Sequence, residues 1–176
     1  ENIKAILYIP FDIRFTYYTG KSRGFHCMPR REIMRHMLNK NIALCVGRQA
    51  SAIGSDNYDI VFISENIVDI NLFRHGGDLV FPLYIYPTPE QKKRGTFTQM
   101  MMFEPAAQYQ TKQSNVNSEI FEMLKKDFKK GLTPEQIFYY IYAILYSNTY
   151  RKKYAEFLKI DFPRIPFTKD YKLFIK

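Results

Sequence analysis

The sequence predicts an α+β fold, with a strand-rich mixed sheet in the N-terminal part and a helical C-terminal third. Three observations carry this. Up to about residue 103, short runs of β-branched and aromatic residues alternate with Gly, Asn and Asp turn signals. From residue 118 onward, apolar residues recur at helical spacing between recognisable caps. The 176 residues, 46% hydrophobic and 24% charged, suffice for one core without disulfide staples.

The strand signals lie at 3–8, 15–18, 42–46, 60–63, 79–86 and 97–103, punctuated by Gly20, Gly47, Gly54, Gly76-Gly77 and Asp56-Asn57. Pro82 lacks a backbone N–H, so the 79–86 run belongs at an edge or a bulge. A helix interrupts this part after Pro29, where Ile33, Met34, Met37 and Leu38 share one face. Residues 87–118 read as a connector. Pro87-Thr88-Pro89 opens it, Gln91-Lys92-Lys93-Arg94-Gly95 is polar, and 108–117 is nearly free of apolar residues. Connectors of that length are functional or mobile.

The last part is helical. Ser118 caps a helix with Ile120, Leu124 and Phe128 on one face, and Gly131 stops it. Thr133-Pro134-Glu135-Gln136 is a capping box with Pro at the first helical position, followed by the stripe Ile137, Tyr140, Ile141, Ile144 and Leu145. Ser147-Asn148 breaks the pattern. A further helix turns Tyr150, Tyr154, Phe157 and Leu158 inward and ends before Pro163.

Composition narrows the function. The chain carries 26 Lys and Arg against 17 Asp and Glu, net +9, which suits nucleic acid or another anionic surface. Residues 1–88 hold seven Arg and three Lys; residues 89–176 hold three Arg and 13 Lys. Arg makes bidentate bonds to guanine edges, whereas Lys acts as a point charge. An Arg-bearing reader followed by a Lys-rich support fits this split, and so do plain solvated helix faces. The two cysteines, Cys27 and Cys45, exclude a disulfide scaffold and fit a reducing cytoplasm. No apolar run approaches the roughly 20 residues of a membrane span. The start at Glu1 shows neither a signal-peptide pattern nor an initiator Met, so the chain reads as a part of a longer polypeptide.

Catalytic motifs are missing from the sequence. There is no Gly-x-x-x-x-Gly-Lys phosphate loop, no Gly-x-Gly-x-x-Gly, and no Asn-Pro-Pro-Tyr or Asp-Pro-Pro-Tyr of an amino-methyltransferase. His26, Cys27, His36, Cys45 and His75 lack paired metal-ligand spacing. Asp78 with Glu90-Gln91-Lys92 has the spacing of a Mg²⁺-dependent nuclease site, but the Pro-Thr-Pro before it reads as exposed loop rather than buried strand. Tyr17, Tyr18, Tyr139, Tyr140 and Tyr142 could stack on bases; their helix and strand periods place most of them in the core. The sharpest cluster is Lys21, Arg23, Arg30, Arg31 and Arg35, offset only by Glu32 and surrounding a Gly-bounded loop.

Two stretches are less generic. Tyr8-Ile-Pro-Phe-Asp-Ile-Arg14-Phe-Thr-Tyr-Tyr18, then Arg30-Arg-Glu-Ile-Met-Arg-His-Met37, resembles a pattern of type ISP restriction–modification enzymes. So does the ending, Ile137-Phe-Tyr-Tyr-Ile-Tyr-Ala-Ile-Leu-Tyr-Ser147 with Tyr150-Arg-Lys-Lys-Tyr-Ala-Glu-Phe-Leu-Lys-Ile-Asp-Phe-Pro-Arg-Ile-Pro-Phe167. Asn41-Ile-Ala-Leu44 and Arg48-Gln49 lie where the family has a similar strand. The match runs from about Ile6 to Phe167 and points to the C-terminal specificity domain. Where the family often has Arg before Pro-Phe-Asp, this chain has Ile9, so no DNA role is carried to that position.

The resemblance implies a single target-recognition domain over 1–176: a strand-rich reader at 1–103, a connector at 104–118 and a helical support at 119–176. It implies sequence-specific recognition of double-stranded DNA, with adenine methylation and cleavage carried out by methyltransferase, helicase-like ATPase and nuclease parts of the same polypeptide. This chain would then have no catalytic residue, metal or cofactor of its own. S-adenosylmethionine, ATP and Mg²⁺ would serve the parent enzyme, in the cytoplasm and away from membranes. The expected DNA contacts are Arg14, Lys21, Arg23, Arg30, Arg31 and Arg48, with Lys92, Lys93 and Arg94 from the connector. Lys125, Lys126, Lys129 and Lys130 form a competing basic cluster at a helix end. An RNA-binding module and a non-catalytic docking domain are the alternatives.

Overall fold

In the computed structural model, which describes residues 1–23, 25–49, 57–73, 77–88, 90–91 and 112–176, the described strands and one helix among them come first and the other described helices follow. The strands are β1 (Ile3–Ile9), β2 (Asp12–Tyr17), β3 (Ala43–Gly47), β4 (Val61–Ser64), β5 (Ile67–Val68), β6 (Asp78–Pro82), β7 (Tyr84–Ile85) and β8 (Gln113–Ser114). The helices are α1 (Arg31–Met37), α2 (Ser118–Phe128), α3 (Pro134–Tyr146), α4 (Asn148–Lys153), α5 (Ala155–Ile160) and α6 (Tyr171–Phe174).

β1 and β2 pair antiparallel, from Ile3 opposite Tyr17 to Leu7 opposite Ile13, with a register slip between Leu7 and Ile9 before the turn. β5 joins β1 in parallel, giving the order β2-β1-β5. The second sheet is antiparallel, in the order β4-β3-β6. All five residues of its central strand β3 are buried, which is why its sequence is a continuous apolar run and not an alternating one. Gly47 ends that strand because a Cβ there would lie 2.2 Å from Ile60 Cδ1.

Pro82 ends the edge strand β6, as its missing N–H requires. The single run expected at 79–86 divides at Leu83, whose N–H donates to the Ile42 carbonyl at 2.8 Å. Beyond it β7 pairs with β8 in a third, two-stranded sheet. Asn41 takes the place of a strand partner for Tyr84, accepting from its N–H at 3.1 Å and donating to its carbonyl at 2.8 Å. β5 and β8 were not expected; each has two residues, too short for a period-2 signal. β2 begins earlier than expected, at Asp12, because hairpin register rather than composition sets its start. The 97–103 run lies outside the described residues.

The helical expectations hold with local corrections. Asn117, not Ser118, caps α2, its side chain accepting from the Glu119 N–H at 2.9 Å. That helix ends at Lys129 in the left-handed conformation, before Gly131. Thr133 and Gln136 form the capping box of α3 with Pro134 in its first turn, worth about 1 kcal/mol. Leu38 lies beyond the end of α1 and is exposed. The last long helix breaks at Tyr154 into α4 and α5, leaving that ring partly exposed.

α3 has two apolar faces. Phe138 and Leu145 join the main core with Met34, Cys45, Val46, Ile60 and Leu72. Ile137 and Tyr140 join Leu124, Phe128 and Phe174 in a second cluster. Tyr140 stacks on Phe174 with centroids 4.3 Å apart, and its hydroxyl donates to the Pro166 carbonyl at 2.7 Å. The Tyr150 hydroxyl holds the Arg164 carbonyl at 2.7 Å. The Phe-Pro-Arg-Ile-Pro-Phe ending is thus a strap fastened over the helices by two tyrosines.

Candidate nucleic-acid interface

The site begins where the chain enters α1. Arg30 precedes this helix in the left-handed conformation, with φ 46° and ψ 47°, which costs a non-glycine residue roughly 1–2 kcal/mol. Its guanidinium is turned into the protein. Nη1 lies 3.0 Å from Asp78 Oδ2 on β6, and Nη2 donates to the Val68 carbonyl on β5 at 2.7 Å. The side chains of Arg30 and Asp78 are 13% and 0% exposed. Burial raises the Asp78 carboxyl above its ordinary value even against the Arg30 charge. The pair therefore ties the two sheets to α1 rather than adding net stability.

The other end of α1 grips the exit from the sheets. His36 Nδ1 accepts from the Tyr86 N–H at 2.9 Å, and Arg35 Nη1 donates to the Tyr86 carbonyl at 2.6 Å. Burial, then the Arg35 charge, lowers the His36 pKa to about 4. The ring is therefore neutral at pH 7, with its proton on Nε2.

Across from α1, the start of β1 forms the opposite wall of a cleft of about 590 Å³. Lys4, Arg31 and Arg35 line it, with Glu1, Tyr18 and Gly20. Gly20 has φ +70°, and a Cβ there would sit 3.1 Å from Arg31 Cγ. The glycine thus lets the Arg31 stem lie against the loop. Arg35 Nε is buried without a hydrogen-bond partner. Lys21 leads out of the cleft wall, and Lys21 and Arg23 are exposed on the loop before α1.

Of the expected contacts, Arg31 lines the cleft, together with Lys4, while Lys21 and Arg23 stand exposed on the loop before α1. Arg14 lies on the same hairpin face as Lys4, because Thr16 pairs with Lys4 and Arg14 with Ile6. Its guanidinium bonds Asp12 at 2.7 Å and lies 4.2 Å over the Tyr8 ring. Arg48 is exposed one residue beyond Gly47, which pairs with Asp78. Arg30 is brought to the same place but faces inward. Lys92, Lys93 and Arg94 lie outside the described residues. A lone Lys in a strand gives no sequence signal, so the place of Lys4 in the cleft lining could not be read from sequence.

The decoys resolve structurally. Asp78 of the nuclease-like spacing is the partner of Arg30, Glu90 is exposed, and Lys92 lies outside the described residues. His26 Nε2 bonds Thr16 Oγ1 at 2.9 Å, and burial pushes the Cys45 thiol up to about 12. Among the described residues no three His, Cys, Asp or Glu converge to hold a metal. Tyr18 and Tyr140 are buried, whereas Tyr17 and Tyr139 are exposed. In the competing cluster, Lys130 Nζ lies 4.4 Å over the Tyr171 ring. The other hairpin face is apolar and open: Ile3, Ile13, Phe15 and Tyr17 are exposed, and Phe25, 82% exposed, leans on Tyr17 at 6.3 Å.

The sequence pattern of the type ISP C-terminal specificity domain matches residues 1–176. No curated protein matches the chain. Among solved structures, the chain is similar to DrdV in a complex with DNA, at 20% identity and a TM-score of 0.73, over 99% of this chain and 15% of that one. It is also similar to a nuclease-deletion mutant of the type ISP restriction–modification enzyme LlaGI with a DNA substrate mimic. That likeness has 23% identity and a TM-score of 0.60, over 99% of this chain and 10% of that one. The chain thus spans a small share of the proteins it resembles. Among the described residues no helix is long and apolar enough to cross a membrane.

Proposed function

The chain belongs to the type ISP C-terminal specificity domains, and from that premise we propose that it reads duplex DNA sequence for a restriction–modification enzyme. Adenine methylation, cleavage and ATP-driven motion belong in this reading to other parts of a longer cytoplasmic polypeptide. S-adenosylmethionine, ATP and Mg²⁺ bind there too. Within this chain, residues 1–103 read, 104–118 connect and 119–176 support.

The observation that carries the reading is the run of exposed cations on the loop before α1 and at its first residue, Lys21, Arg23 and Arg31, with no acidic partner for any of them among the described residues. Cations left in water suit a polyanion, because their binding releases its condensed counterions. The DNA in the two similar structures supports the same partner. Phosphate contacts set register, and a few Arg side chains on the loop select bases, each bidentate pair worth about 1–3 kcal/mol. The open apolar face of the hairpin supports a second role, contact with the rest of the longer polypeptide, since exposed apolar patches mark interaction sites.

Binding of the chain to a pool of duplexes and to single-stranded RNA, over a range of salt, tests this. Duplex binding that weakens steeply with salt, with selection of a sequence from the pool, is expected. Preference for RNA, or no duplex binding at low salt, overturns it.

A further inference from the structure

We propose that the cleft between β1 and α1 is a phosphate site, in which Lys4 and Arg31 together hold one phosphodiester of the DNA backbone. The proposal rests on the duplex reading above and assigns Arg31 to the backbone rather than to a base. Lys4 comes from the sheet and Arg31 from the helix, so two independent elements each bring a cationic residue to the lining of one cleft. At about 590 Å³, that space lies within the range of sites that enclose small ligands. A concave wall meets a convex backbone phosphate more readily than a base edge at the floor of a groove.

The charge of the lining points to an anion. Arg35 adds a third cation to it, with Nη1 donating to the Tyr86 carbonyl. Gly20 leaves room for the Arg31 stem, since a Cβ there would lie 3.1 Å from Arg31 Cγ and 3.2 Å from Cδ. The one carboxylate in the lining is Glu1, set against three cations.

The test measures affinity of the 176-residue chain for two duplexes of unrelated sequence across salt, in wild type, Lys4→Gln, Arg31→Gln and Arg31→Lys. Thermal melts check folding. Each Gln variant should weaken binding to both duplexes by the same factor and lower the log–log salt slope by about 1. Arg31→Lys should keep the slope. Unchanged slopes in both Gln variants, with wild type still binding, overturn the proposal while leaving the duplex reading intact. A loss confined to one duplex makes Arg31 a base reader and also overturns it. If wild type binds neither duplex, the duplex reading fails. Inorganic phosphate that then raises the melting temperature of wild type but not of Arg31→Gln would make the cleft a free-anion site, again against the proposal.

Discussion

The Arg30 guanidinium and the Asp78 carboxylate meet at 3.0 Å where α1 begins, with the Val68 carbonyl 2.7 Å from the same guanidinium. Helix, first sheet and second sheet are joined at this one side chain. The left-handed backbone of Arg30 persists because these contacts over-determine it. That turn sets the direction of α1, and with it where Arg31 and Arg35 stand around the cleft.

Asp78→Ala should therefore cost roughly 3–5 kcal/mol, since it leaves the Arg30 charge buried and unpaired. The double change Arg30→Met with Asp78→Leu should recover most of that stability but not duplex affinity. Urea denaturation and a binding titration on the same proteins check this. Wild-type stability in Asp78→Ala would show that the pair is not structural.

Stability should also fall with acid through His36. Its pKa is about 4 in the folded chain against 6.5 ordinarily, so below 6.5 the unfolded state binds the proton that the folded state refuses. Stability from this group is complete above 6.5 and is lost as pH falls towards 4. His36→Gln, whose carbonyl can still accept from the Tyr86 N–H, should flatten melting temperature against pH in that window. An unchanged slope would place the acid sensitivity elsewhere.

Much of this was legible in sequence, for reasons visible in particular residues. The capping box at Thr133 and the edge position of Pro82 are local chemistry, and local chemistry reads directly. Short strands such as Ile67–Val68 exist only through partners far away, and no window of sequence contains those partners. Arg30 and Arg31 are neighbours of one type that end facing opposite ways. Only the turn between β2 and α1 decides which faces in, so composition grouped them as equals.

Gly47→Ala should cost about 1–3 kcal/mol by overpacking, as the new methyl would meet Ile60 at 2.2 Å. Ile60→Val removes the Cδ1 that the methyl meets. The double variant should therefore lose less than the sum of the singles, as a double-mutant cycle would read. Strict additivity would mean that the backbone, not Ile60, absorbs the strain.

Phe15→Thr combined with Phe25→Ser should change stability by less than about 0.5 kcal/mol, since both rings are exposed. Duplex affinity of the isolated chain should hold, and sedimentation should show less self-association. A collapse in duplex affinity would move the hairpin's apolar face into the DNA contact and away from the rest of the polypeptide.

Charge reversal separates the two basic regions. Lys21→Glu with Arg23→Glu acts on exposed cations of the loop before α1, while Lys125→Glu with Lys126→Glu acts near the end of α2. Arg30 is left out, because a Glu there would face Asp78 and report on folding. The first pair should reduce both duplex affinity and the salt slope, the slope by about one unit for each phosphate no longer neutralised. In the longer polypeptide it should also alter DNA methylation. The second pair should do less, since cations in the last turn of a helix also answer its own dipole. Dominance of the α2 pair, with affinity and methylation untouched by the loop pair, would put the DNA on the helical side of the molecule.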